Sequence, residues 1–226
     1  MRKFLQLFGQ LKSVILGMVH VRALPGSPCN TLPLAQIIEE ACGEAEMYRA
    51  AGVDGLIVEN MHDRPYTFDV GAEVTAAMAV ICASVKQACP TLPIGVQILC
   101  AANQQALAVA LASGCIRVLP SAHTLTADVT VADTAKAAEF FLADGVVLTG
   151  TATGSEADPK ELEEVRSAVK IPVLVGSGVT LDNVKDYLSA NALIIGSYFK
   201  KGGYWANGID LDRVKIFMDY IGKVRV

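Results

Sequence analysis

Short apolar runs alternate along the whole chain with longer stretches whose apolar residues recur every three or four positions. The runs fall at residues 14–20, 53–59, 92–99, 115–119, 145–149, 171–175 and 192–195, and their length and β-branched content predict strands. Between them, residues 34–51, 71–89, 103–113, 131–143, 159–169, 181–189 and 211–221 carry the helical period; Val74, Met78, Ile81 and Val85 form one such face. Asp158 followed by Pro159, and Asp182 and Asp210, mark helix starts. Strands alternating with helices from end to end predict one α/β domain over residues 1–226, a parallel sheet wound by helices.

Two late runs break into matching turns, Val173-Leu174-Val175-Gly176-Ser177-Gly178 and Leu193-Ile194-Ile195-Gly196-Ser197. In a (β/α)8 barrel the anion site commonly lies in the loops after the last two strands, beside a helix N-terminus. Gly176, Gly178 and Gly196 let backbone amides approach an anion, and Ser177 and Ser197 add hydroxyl donors. The plainer alternative is a pair of tight strand-to-helix turns. The first turn lacks the glycine fingerprint of a dinucleotide fold, which favours the barrel over an open doubly wound sheet.

One unit breaks the rhythm. After the strand at 115–119 comes Pro120-Ser121-Ala122-His123-Thr124 and a polar stretch, with no helix or further strand before residue 131. The count therefore reaches seven strands, one βα unit short of a closed barrel, and the chain is shorter than the roughly 250 residues typical of that fold. Losing a strand exposes two parallel edges.

The composition narrows the partners. The chain has 226 residues, is 52% hydrophobic and 19% charged, and carries a net charge of −4, so it lacks the basic character that attracts nucleic acid. No apolar stretch approaches the roughly 18 residues of a membrane span. Six cysteines are scattered without a metal-type or redox-type spacing and read as reduced intracellular thiols. Arg2, Lys3 and Lys12, with Phe4, Leu5, Leu7, Phe8 and Leu11 at helical spacing, predict a short helix under the barrel, with an organelle-import peptide as the alternative. A cytoplasmic location is expected, and peripheral membrane association stays open.

In a barrel, reactive side chains project from the C-terminal ends of strands. His20 ends the first strand and is its one side chain able to exchange protons near neutral pH; Glu59 ends the second, where a buried acid needs a partner or a ligand. These two are the expected catalytic pair, against a hydrogen-bonded structural histidine and a salt-bridged glutamate. Asn60, Gln97, Thr149 and Thr151 are expected to line the ligand. His62, Asp63 and Arg64 read as a solvated charge cluster. A metal site built from His20, Glu59, His62 and Asp63 lacks the tight spacing of known motifs, and no metal or cofactor is expected. Tyr198-Phe199-Lys200 and Tyr204-Trp205 put aromatic surface near the mouth, suited to a ligand or a neighbouring subunit.

The strings MVHVRALPGSP, AGVDGLIVENMHDRPY, GVQILCAANQQALAVALASG, AAEFFLADGVVLTGTATG and PVLVGSGVT with ALIIGSYFKKGG resemble the BtpA family, which includes SgcQ-type proteins. The resemblance covers nearly the whole chain except about residues 116–130. The glycine-serine turns themselves suggest a small phosphorylated sugar- or nucleotide-type ligand; the resemblance implies a TIM barrel of the ribulose-phosphate-binding type, with some members in sugar-metabolism contexts. It also implies an alternative, a non-catalytic factor in the biogenesis of a membrane complex, since the family is known mainly for a membrane-associated photosystem I biogenesis factor. Family members carry roughly forty further residues after the strand at 115–119, so the resemblance marks this chain as a shortened form, inactive if the lost strand end is needed at the mouth.

Overall fold

A computed structural model describes residues 2–117, 130–151 and 154–225. Seven helices and seven parallel strands alternate among them: α1 (Arg2–Phe8), β1 (Val14–His20), α2 (Leu34–Ala50), β2 (Gly55–Glu59), α3 (Ala72–Ala88), β3 (Ile94–Gln97), α4 (Asn103–Ser113), β4 (Ile116–Arg117), α5 (Val131–Phe140), β5 (Val146–Thr149), α6 (Pro159–Ala168), β6 (Val173–Gly176), β7 (Ala192–Ile195) and α7 (Leu211–Val224). The strands lie side by side in the order β4-β3-β2-β1-β7-β6-β5. Six have four to seven residues; the expected strand at 115–119 is reduced to Ile116–Arg117, held by two register pairs to Gly95 and Val96. Among the described residues β4 and β5 do not pair with each other, so the curved sheet is an open barrel.

Alternation along each strand sorts its residues into two layers. Ile15 and Val19 of β1, Leu56 and Val58 of β2 and Leu193 and Ile195 of β7 face outward into the main core, against Ile37, Ala41, Ala45 and Tyr48 of α2, Ile81 and Val85 of α3, and Phe217 and Ile221 of α7. Val14, Leu16, Met18, Ile57, Ala192 and Ile194 face inward and form a second cluster, with Phe4 and Phe8 of α1 packed against it. The N-terminal helix thus underlies the barrel floor, as its spacing predicts. Gly17 is where α2 comes closest: a Cβ there would sit 2.9 Å from the ring of fully buried Tyr48, whose hydroxyl donates to the Met18 carbonyl at 3.0 Å.

Helix ends follow local chemistry. Thr130, Asp158 and Asp210 accept amide hydrogen bonds from Asp133, Lys160 and Arg213, satisfying donors that the first turn leaves open. Two expectations are corrected. The helix expected at 181–189 is a single 3-10 turn, Val184–Tyr187; the Asn183 side chain accepts from the Thr180 amide and donates to the Gly178 carbonyl, a local alternative to helical bonding. The helix expected at 131–143 stops at Phe140, because Leu142 takes a left-handed φ of 64°.

Candidate active site at the C-terminal barrel face

Inward-facing positions are also what place the site. His20 continues the inward series of Val14, Leu16 and Met18, and it pairs in register with Glu59, which pairs with Gln97. On the other side Thr149 pairs with Gly176, and Gly176 with Ile194. The two glycine-serine turns therefore leave adjacent strands on one face of the sheet, the face that also carries His20 and Glu59.

His20 and Glu59 are both nearly inaccessible, at 9% and 6% exposure, and His20 Nε2 lies 4.0 Å from a Glu59 oxygen. His20 Nδ1 is 2.9 Å from the Trp205 carbonyl. A carbonyl only accepts, so Nδ1 carries the proton and Nε2 is a bare lone pair turned toward Glu59. Burial, then the positive charge of Lys200, holds the imidazole far below its ordinary range, at about 3. Burial pushes the Glu59 carboxyl up to about 7. The result near neutral pH is a neutral imidazole beside a carboxyl that gains and loses its proton there, a pairing suited to general acid and base work.

Two side chains of the segment after β7 lie near these groups. The loop after β7 brings Trp205 over the mouth, its ring 4.9 Å from that of His62 and 5.0 Å from the Arg64 guanidinium. Lys200 is fully buried beneath this loop and pairs with Glu44 of α2 at 2.6 Å. Lys200 and Glu44 carry no sequence signal: their 156-residue separation is closed only by the fold. Trp205 was legible as mouth-side aromatic surface, but its carbonyl bond to His20 was not.

The turn residues serve in different ways. Ser177 and Gly178 have φ of 73° and 68°, and their amides make no hydrogen bond among the described residues. A Cβ on Gly178 would lie 2.5 Å from the Glu156 backbone, so the loop after β5 also requires glycine there. Gly196 admits the His20 ring, whose Cε1 and Nε2 would be 3.3 Å from a Cβ at that position. The Ser197 hydroxyl reaches to 3.8 Å of where a Gly154 Cβ would stand. Gln97 is half-buried and points inward level with Glu59, Thr149 points inward from β5, and Thr151 is exposed on the loop beyond.

Asn60 ties loops together: its amide donates to Asp63 at 3.0 Å and to the Leu99 carbonyl at 3.3 Å, and its oxygen accepts from the Leu99 amide at 2.7 Å. The solvated cluster expected at residues 62–64 is corrected in part. Asp63 is buried at 8% exposure and accepts from the Leu24 amide at 2.6 Å, and His62 is half-buried against Trp205; Arg64 alone is exposed. Asp63 reaches the Leu24 amide of the neighbouring loop, and that bond outweighs its hydration. Among the described residues no three His, Cys, Asp or Glu side chains gather as a metal site. His123 lies outside the described residues.

Comparison with solved structures gives the fold. The tryptophan synthase alpha chain of Legionella pneumophila superposes with a TM-score of 0.63 at 12% identity, over 98% of this chain and 95% of that one. A rubisco-like protein from Alicyclobacillus acidocaldarius gives 0.58 at 10% identity, over 98% of this chain and 63% of that one. Both are TIM barrels.

Sequence relatives are nearer. An uncharacterized mitochondrial protein of Caenorhabditis elegans is 35% identical over 268 positions, covering 97% of both chains. The photosystem I biogenesis protein BtpA of Synechocystis is 32% identical over 257 positions, covering 93% of this chain and 88% of that one. Since 97% of 226 residues is about 219, about 49 of the 268 positions shared with the nematode protein have no residue here; the same comparison with Synechocystis, 93% or about 210 of 257, leaves about 47. A model of the BtpA family matches in two pieces, residues 11–141 and 116–223, which overlap at 116–141. By this match and by the Synechocystis relative, the chain belongs to the BtpA family.

Proposed function

We infer that this barrel binds a small phosphorylated metabolite of sugar or nucleotide type at its C-terminal face, with His20 and Glu59 as the acid-base pair. The observation that carries the reading is the dry juxtaposition of a bare imidazole nitrogen and an elevated carboxyl 4.0 Å apart on adjacent strand ends. Buried carboxyls normally have a partner or a ligand, and the neighbouring group here, His20 Nε2, lies beyond hydrogen-bond length at 4.0 Å. The free amides of Ser177 and Gly178, with the hydroxyls of Ser177 and Ser197, supply the anion's donors. Gln97, Thr149 and Thr151 flank the same opening and suit a hydroxylated ligand body, whereas Asn60 acts through loop position.

Thermal denaturation against paired compounds tests this, each sugar or nucleoside alongside its phosphate ester. Saturable stabilisation by the esters alone, lost in Ser197→Ala with Ser177→Ala, is expected; a flat response to every phosphate ester overturns it. A second reading follows from the Synechocystis relative's name: a biogenesis or stability factor for a membrane complex. Among the described residues no helix is long and apolar enough to cross a membrane. A cellular phenotype unaffected by His20→Ala and Glu59→Gln would favour it over catalysis. The nematode relative's label supports the mitochondrion over the cytoplasm as location.

A further inference from the structure

Among the six free cysteines, two that lie 33 positions apart in the chain meet as thiols: Cys82 of α3 and Cys115 at the entry to β4. Local structure explains the meeting. α4 ends at Gly114, whose left-handed φ of 71° turns the chain back toward α3, and the Cys115 amide is then fixed on the Ala110 carbonyl at 3.1 Å. Cys82 is fully buried with Met78, Ile81 and Val85 on the core face of α3. Cys115 Sγ lies 3.9 Å from the Cys82 carbonyl oxygen, and the two sulfurs share a hydrogen bond in which Cys82 donates. Cys115 is half-buried and is the more accessible of the two.

Their surroundings give these thiols different roles. The hydrogen bond from Cys82 holds the Cys115 thiol well below its ordinary range against the upward push of burial, and the Ser113 hydroxyl and the Lys86 ammonium help. Lys86 stands one turn after Cys82 and is anchored by the Leu92 and Pro90 carbonyls at 2.8 and 3.3 Å. The same sulfur-sulfur bond, with burial, pushes Cys82 well up. Cys115 is therefore the attacking thiolate and Cys82 the resolving thiol that keeps the shared proton. Cys42 and Cys89, close enough to act on one another, show the contrast: burial pushes both of those thiols up, which leaves neither as a ready nucleophile.

We propose that Cys82 and Cys115 form a reversible, peroxide-driven disulfide, a covalent clasp between α3 and the start of β4. The Cys115 thiolate attacks one oxygen of hydrogen peroxide: the S–O bond forms, the O–O bond breaks and hydroxide leaves, giving a sulfenic acid. The Cys82 sulfur then attacks the Cys115 sulfur; the S–S bond forms, the S–O bond breaks, and the departing hydroxide takes the Cys82 proton as water. The two sulfurs together lose two electrons, and one peroxide becomes two waters. A dithiol reductant reverses the bond by exchange. The clasp adds a covalent tie to β4, which two register pairs hold to β3.

Non-reducing peptide mapping by mass spectrometry tests this on the full chain, treated with hydrogen peroxide and then capped with iodoacetamide in denaturant. Cys89, Cys100 and Cys115 share one tryptic peptide, so chymotrypsin is added to separate them. One dominant cross-link is expected, the Cys82 peptide joined to the Cys115 peptide with a loss of about 2 Da, and dithiothreitol restores both thiols. Cys115→Ser should leave Cys82 reduced, whereas Cys82→Ser should leave Cys115 as a sulfenic acid captured by dimedone. Circular dichroism checks the fold of each variant, and the map of the native chain decides the matter without them. Cys82 and Cys115 both still capped by iodoacetamide after peroxide has oxidised exposed Cys29 overturns the proposal. So does Cys115 passing to sulfinic acid without the cross-link, or a cross-link that joins other cysteines in preference.

Discussion

The two flanks of this barrel are built from the same kinds of strand yet reach different states. Around β1, β2 and β7 the inward residues are closed off: Ile57 is 1% exposed, Ala192 is inaccessible, and Leu16 and Ile194 are below a tenth. On β5 and β6 the equivalent inward residues, Val147 and Leu174, are only half-buried although they belong to the same cluster. The difference is neighbours, not composition. Among the described residues β5 ends the sheet, so the interior side of β5, and of β6 next to it, lacks a covering neighbour, although β6 itself is paired on both edges. The His20–Glu59 pair therefore sits on the closed flank.

The sharpest way to break this contrast is the same truncation on each side. Ile57→Ala should cost about 2–5 kcal/mol, because its cavity cannot refill, while Leu174→Ala should cost under about 1 kcal/mol, since water already reaches it. Urea denaturation of the two variants measures the gap, and equal losses would end the distinction.

A pH series separates the buried pair next. His20 has its pKa lowered in the folded state, so the stability it confers is present above about 6.5 and lost as pH falls toward 3; His20→Gln should flatten that acid-side loss by roughly 2–4 kcal/mol. Glu59 runs the other way. Its raised pKa favours the fold below 4.5 and penalises it as pH climbs through about 7, so Glu59→Gln should gain roughly 1–3 kcal/mol at pH 8 and nothing at pH 4. The expected sign reversal between the two variants is read from melts at pH 4, 6 and 8.

Smaller effects complete the comparison. Gly17→Ala should lose about 1–3 kcal/mol by forcing Tyr48 off β1, a change confined to the closed flank and visible as quicker exchange of the Leu16 and Met18 amides. Phe140→Ala on the open flank should alter monomer stability by less than about 0.5 kcal/mol, checked in dilute solution.

How legible each part was in the sequence follows from how local its cause is. β1 and β7 were readable to the residue because unbroken apolar runs flanked by polar turns have few other fates. The placement of His20 and Glu59 at the C-terminal ends of β1 and β2 was readable from where the apolar runs stop. The 3-10 turn at Val184–Tyr187 was not, since Asn183 bonding backward competes with a periodicity that points to a helix. Asp63 was misjudged for a related reason: the Leu24 amide it satisfies lies 39 residues away, and charge beside charge in a loop resembles hydration. The Lys200–Glu44 pair needs the whole chain to meet, and no local pattern announces it.

The bond from His20 to the Trp205 carbonyl has a last consequence. A peptide oxygen, unlike a side chain, survives any substitution at its own position, so replacing Trp205 strips the indole cover yet leaves the imidazole's orientation to the backbone path of residues 200–209. Which ring nitrogen looks into the barrel is thus dictated by where that strap lies. If the strap lifts, it releases the proton-bearing nitrogen and wets the carboxyl in a single movement, tying entry of a guest to the tautomer that greets it.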